Sequence, residues 1–164
     1  SFYGESWYIE SVARQGMKIL SQSNDQHILF SFHGLPLSHL EDTEKTGSGK
    51  AYCYKTHCLT TAELVAKRCG LLPQNYTVSF QSRVGVQEWI QPYTEPTVIE
   101  LAKKGVKRLV VFCPSFVTDC LETLEEIEMG VKEKFLAHGG KEFILVPSLN
   151  DDDHWVEVLA NDLK

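Results

Sequence analysis

The stretch His27-Ile28-Leu29-Phe30-Ser31-Phe32, followed at once by His33-Gly34-Leu35-Pro36, decides how this chain is read. An apolar run this short, halted by a loop with Gly and Pro, is too brief for a core helix. It also lacks the alternation of a half-solvated strand, so it predicts a strand buried on both faces. Such strands build parallel sheets, whose neighbours are reached through helices. Working outward, the same grammar recurs. Before it, residues 7–22 place Tyr8, Val12, Met17 and Leu20 near helical spacing. After it come a polar stretch with Gly47 and Gly49, a helix over 60–69 closed by Gly70, and a strand over 76–80. A helix over 96–104 closed by Gly105 leads to a strand over 108–113 stopped by Pro114. A long helix over 121–138 ends at Gly139-Gly140, a last strand covers 142–146, and a helix over 151–163 closes the chain. The expectation is an α/β domain over 1–164, a four-stranded parallel sheet flanked by helices on both faces.

Composition agrees with a folded, non-fibrous domain: 164 residues, 43% hydrophobic and 23% charged. The net charge of −6 argues against nucleic acid, which needs a concentrated basic patch. The densest charge run, from Glu122 to Glu128, is acidic. Five cysteines, an odd number in a medium-sized domain, suit free thiols in a reducing compartment, hence a cytoplasmic location. No stretch approaches the apolar length of a membrane span, and Ser1-Phe2-Tyr3-Gly4 does not resemble a signal peptide.

In an open parallel sheet, ligands gather beyond the carboxyl ends of the strands, so the residues just past each strand are the place to search. They are His33; Gln81-Ser82-Arg83 with Trp89 and Tyr93; Cys113 to Cys120 with Phe116; and then Glu122, Glu125 and Glu126. Pro147-Ser148-Leu149-Asn150 lies past the last strand. An imidazole, an arginine fork, large rings and carboxylates on one edge suit a flat, apolar, partly anionic ligand together with a cation. Each residue also has an ordinary reading. A histidine after a strand serves equally as a hydrogen-bonded strut. Glu122 and Glu126, four apart on one helix face, serve the helix macrodipole as well as a cation. Other motifs fail on their own terms. Thr46-Gly47-Ser48-Gly49-Lys50-Ala51 lacks the first glycine and the final Ser/Thr of a phosphate loop. Cys53 and Cys58 have no second pair for zinc, and a plant-type iron–sulfur spacing would need cysteine at Thr61.

Four blocks carry a resemblance. Ser31-Phe32-His33-Gly34-Leu35-Pro36, Ser79-Phe80-Gln81-Ser82-Arg83-Val84-Gly85, Glu88-Trp89-Ile90-Gln91-Pro92-Tyr93-Thr94 and the run from Cys113 to Ile127 resemble, in order, the signature blocks of ferrochelatase. Ser148-Leu149-Asn150 resembles a lesser block near that family's end. The resemblance implies the C-terminal one of two similar α/β halves, with porphyrin held between them and the N-terminal half outside this chain. It implies insertion of Fe²⁺ into protoporphyrin IX to make protohaem, a lyase reaction closing haem biosynthesis. His33 and Glu122 match the catalytic, metal-side pair, and Glu126 matches a second carboxylate on the metal's path. Trp89 and Phe116 match aromatics of the porphyrin pocket, and Gln81, Ser82 and Arg83 fall in its substrate-binding block. Some members carry histidine where this sequence has Cys120, and no role is carried to that position.

The cysteine-bearing tail of animal members does not follow here, so no iron–sulfur cluster is expected; Fe²⁺ enters as substrate and no bound cofactor is implied. A chelatase for another metal and tetrapyrrole, and a non-catalytic porphyrin-binding module, are the rival functions. An inactive half-length fragment is the third reading.

Overall fold

The computed structural model describes residues 2–20, 25–40 and 53–162. Its centre is an all-parallel sheet of four strands: β1 (His27–His33), β2 (Tyr76–Gln81), β3 (Arg108–Phe112) and β4 (Glu142–Leu145), in the order β2-β1-β3-β4. Helices α1 (Ser6–Leu20), α2 (Tyr54–Arg68), α3 (Thr94–Lys103), α4 (Lys132–Ala137) and α5 (Asp153–Asp162) connect and flank it, as the alternating pattern anticipates. The β1 strand is central, and its burial is what the unbroken apolar run requires: Ile28, Leu29 and Phe30 have no exposed surface.

Strand alternation sorts the core into two layers. On one face Ile28, Phe30, Phe32, Val110 and Phe112 pack with Tyr8, Val12 and Ala13 of α1, Ala62 and Val65 of α2, and Trp155 of α5. On the other, Leu29, Leu109 and Val111 meet Val98 and Ala102 of α3, Ile127, Val131 and Phe135. Helices therefore cover both faces, and the carboxyl edge is left for a site. The glycines expected to close α2 and α3 do so in the left-handed region, Gly70 at φ +70° and Gly105 at φ +99°.

Several boundaries differ from the sequence expectation. The strands β1 and β2 each run one residue further, so His33 and Gln81 end their strands and pair with each other in register. The helix expected over 60–69 starts at Tyr54; Tyr54 and Cys58, four apart, pack on the apolar α1 layer among polar neighbours, so the pattern is diluted there. The long helix expected over 121–138 is a π-helix over Glu122–Val131 followed by α4; at its end the Lys132 N–H reaches back to the Ile127 carbonyl, five residues earlier. Thr123, Ile127 and Val131, four apart, form its buried stripe, a spacing that fits a wide turn as well as an α-turn. The 41–52 stretch, including the glycine-bearing loop, and the expected helix ends beyond residues 20 and 162 lie outside the described residues. No described helix is long and apolar enough to cross a membrane.

Candidate functional site

At the end of β1, His33 is fixed from three sides. Its backbone N–H donates to Ser115 Oγ at 3.1 Å, its carbonyl accepts the Tyr54 hydroxyl at 2.7 Å, and its ring meets Phe116 edge-on with centroids 6.1 Å apart. His33 Nδ1 lies 2.6 Å from the Gly34 carbonyl. A carbonyl can only accept, so Nδ1 carries the proton and the neutral ring keeps its lone pair on Nε2. Glycine at 34 is required by space: a Cβ there would stand 2.9 Å from the Gln81 carbonyl and 3.2 Å from the Trp89 ring. That close approach lets the β1 exit loop pair with the segment bearing Trp89, through the bonds Leu37 N–H to Glu88 O and Ile90 N–H to Leu35 O.

The second wall comes from the end of β2. Gln81, 3% exposed, ties three elements together. Its Oε1 accepts Ser31 Oγ at 2.7 Å, and its Nε2 donates to the Glu122 carbonyl at 2.7 Å. Ser82 then turns into the left-handed region, at φ +66°. Arg83 stacks over the Tyr93 ring at 4.6 Å, and the Trp89 indole N–H donates to the Val84 carbonyl at 3.1 Å.

The third wall is the start of the π-helix. Asp119 anchors it: its carboxylate accepts Asn150 Nδ2 at 2.8 Å, Ser148 N–H at 3.3 Å and Thr123 Oγ at 3.2 Å, while Asn150 Oδ1 accepts the Asp119 N–H. Burial opposes ionisation of Asp119, but these hydrogen bonds outweigh it and hold the group below its ordinary pKa. Glu122 is likewise held below the usual glutamate value, first by the Cys120 thiol, then by its own backbone N–H, and also by the positive charge His33 carries when protonated.

His33, Glu122, Trp89, Arg83, Val84 and Leu121 thus line one open cleft of about 490 Å³, which Ser82, Glu125 and Glu126 complete. The structure brings His33, at the end of β1, and Glu122, at the start of the π-helix that follows β3, to one cleft. Phe116 stands behind His33 rather than on the cleft wall, facing Val12 and Pro147 in a smaller hollow. Gln81 lies beneath the cleft with its amide committed to neighbours. Both oxygens of Glu126 are engaged by Ser82. A larger cavity, about 730 Å³, shares Ser82, Arg83, Glu125 and Glu126 but contains neither His33 nor Glu122. The smaller cleft is the better candidate because it sets an imidazole, His33, with the carboxylate of Glu122. Among the described residues no three His, Cys, Asp or Glu side chains converge to hold a metal ion. All five cysteines are free.

Sequence reasoning did not single out Tyr54, Ser115, Thr123 or Thr94. They are hydroxyls that touch main chain, a carboxylate or one another; Thr94, Ser115 and Thr123 sat in stretches already suspected, but nothing in their residue type set them apart there. Thr94 joins Ser31 and Ser79 by bonds of 2.8 and 2.9 Å under the site.

The family model described as Ferrochelatase matches residues 1–164. The chain is 45% identical to the ferrochelatase of Pseudomonas entomophila (strain L48), over 97% of this chain and 51% of that protein. It is 45% identical to that of Pseudomonas fluorescens (strain Pf0-1), with the same coverage, and 44% identical to that of Stutzerimonas stutzeri (strain A1501), again over 97% and 51%. The chain spans about half the length of the curated relatives it matches. With the family model matched over its whole length, this chain belongs to the ferrochelatase family.

Proposed function

We propose that this chain forms the metal-side half of a lyase that inserts Fe²⁺ into protoporphyrin IX, releasing the two pyrrole protons and leaving protohaem. The observation that carries the reading is the shared cleft of His33 and Glu122. It sets an imidazole with a free Nε2 beside a carboxylate held ionised. Imidazole and carboxylate suit ferrous iron, and a neutral imidazole is a competent proton acceptor near neutral pH. In this reading His33 takes a pyrrole proton at Nε2, while Glu122 binds the incoming cation and keeps negative charge beside it.

The remaining wall supplies recognition. Trp89 and Val84 offer apolar surface to a flat ring, and Arg83 offers a planar fork suited to a propionate carboxylate. A planar porphyrin hides its nitrogen lone pairs, so the pocket must bend the ring with energy drawn from remote contacts. We assign the opposite face of that pocket to the portion of the relatives' length that this chain does not span. Retention of Fe²⁺ specificity over other divalent metals belongs to the same reading.

The test is anaerobic mixing of protoporphyrin IX and Fe²⁺ with the protein at its natural length and with the 164-residue chain alone. Haem absorbance should grow with the former and stay at the uncatalysed rate with the latter. No haem from the natural-length protein, with insertion of another metal, would point to a different chelatase. Tight porphyrin binding without any insertion would point to a binding module.

A further inference from the structure

The Ser82 backbone occupies a region that residues bearing a Cβ seldom adopt. Glu126 is what holds it there. One carboxylate oxygen accepts the Ser82 N–H at 2.7 Å, and the other accepts the Ser82 hydroxyl at 2.6 Å, with Gln81 Nε2 a further 3.5 Å contact. The carboxylate thus spans from the π-helix to the loop after β2 and grips a single residue at two points. Immediately beyond Ser82 the chain becomes cleft wall: Arg83 on the Tyr93 ring, then Val84 bonded to the Trp89 indole. A change of φ at Ser82 would swing all of these together.

We propose that Glu126 is a positioning residue, a latch that holds the Ser82 turn and with it the Arg83–Trp89 wall, and not a ligand on the metal's path. The inference rests on reading the cleft as a tetrapyrrole site. Its ground is a contrast between two carboxylates on one helix. Among the described residues, Glu122 is held by a thiol, a weak donor, and by its own N–H, and it lines the cleft together with His33. Glu126 gives both oxygens to short bonds from Ser82. A cation drawn to this carboxylate would compete for it with a backbone N–H that no other described group accepts, at a turn whose conformation depends on that bond.

The experiment uses the natural-length protein with Glu126→Gln, Ser82→Gly and the pair combined. Glycine adopts positive φ freely, so it should hold the turn without the latch. Hydrogen exchange at residue 82 should quicken about ten-fold in Glu126→Gln, the consequence of weakening a charge-assisted bond. The porphyrin KM should rise about ten-fold, with the Fe²⁺ KM within about two-fold of wild type. Adding Ser82→Gly should recover most of the porphyrin KM, a coupling expected of residues in contact. Unchanged exchange at Ser82 overturns the latch whatever the kinetics. A raised Fe²⁺ KM with no recovery by glycine also overturns it, in favour of a ligand role. If the wild-type protein inserted no metal at all, the proposed function would fail while the exchange measurement still decided the latch.

Discussion

Replacing Gln81 by leucine removes two hydrogen bonds while keeping nearly the same volume, and the structure fixes what is lost. The side chain is 3% exposed, so water does not replace its contacts. The bonds to Ser31 Oγ and to the Glu122 carbonyl are both 2.7 Å long. At about 1–1.5 kcal/mol net for each bond, the loss is about 2–3 kcal/mol. The weaker contacts to Glu126 and the Cys113 thiol, at 3.5 and 3.6 Å, add little. With a urea m-value of about 2 kcal/mol/M for a domain of this size, the unfolding midpoint should fall by about 1–1.5 M. Urea titration of the 164-residue chain by circular dichroism measures it, and a double-mutant cycle with Ser31→Ala should return a coupling of about 1 kcal/mol. A midpoint shift below about 0.3 M with an unchanged m-value would refute the idea that Gln81 braces the start of the π-helix.

Two further outcomes follow from the core. Burial pushes the Cys58 thiol up to about 12 and the Cys69 thiol up to about 11, and it raises Cys113 further, aided by the nearby charges of Asp119 and Glu126. Iodoacetamide at pH 8 should therefore leave these three unmodified in the native protein, as mass spectrometry would show, because the thiolate is the nucleophile. A folded pKa above the unfolded one means the associated stability is complete below about pH 8.5, the ordinary thiol value, and is lost as pH rises towards 12. Urea midpoints should fall over that alkaline range. Gly16 on α1 faces Phe112 so closely that a Cβ would stand 2.1 Å from the ring. Gly16→Ala should thus destabilise by about 1–3 kcal/mol despite alanine's better helix propensity, and a raised midpoint would contradict the packing described.

The fold was legible because its central strand announces itself. A continuous run such as Ile28-Leu29-Phe30 has few homes outside the middle of a parallel sheet, and the sheet's carboxyl edge then gathered His33, Arg83 and Glu122 by topology alone. What stayed hidden is geometry that residue type does not encode. The π-helix was unreadable because Thr123, Ile127 and Val131 recur every four residues, which a 3.6-residue turn satisfies nearly as well. The engagement of Glu126 was unreadable because it depends on Ser82 adopting φ +66°, where sequence reasoning expects glycine. Tyr54 escaped because its hydroxyl reaches the His33 carbonyl across 21 residues, a contact set by how α2 packs beside β1. Phe116 was placed with the right neighbours, yet its ring supports His33 from behind.

The central claim is that His33 and Glu122 perform the insertion chemistry, and substitution of each in the natural-length protein tests it most directly. His33→Ala and Glu122→Gln should leave the circular dichroism spectrum and porphyrin binding close to wild type, since neither side chain contributes to the buried core. Anaerobic formation of protohaem from Fe²⁺ and protoporphyrin IX, followed by absorbance, should fall by at least about a hundred-fold in each, the scale expected on removing a proton-transfer group. Turnover within a few-fold of wild type in either folded variant would contradict the account and return that residue to a structural role.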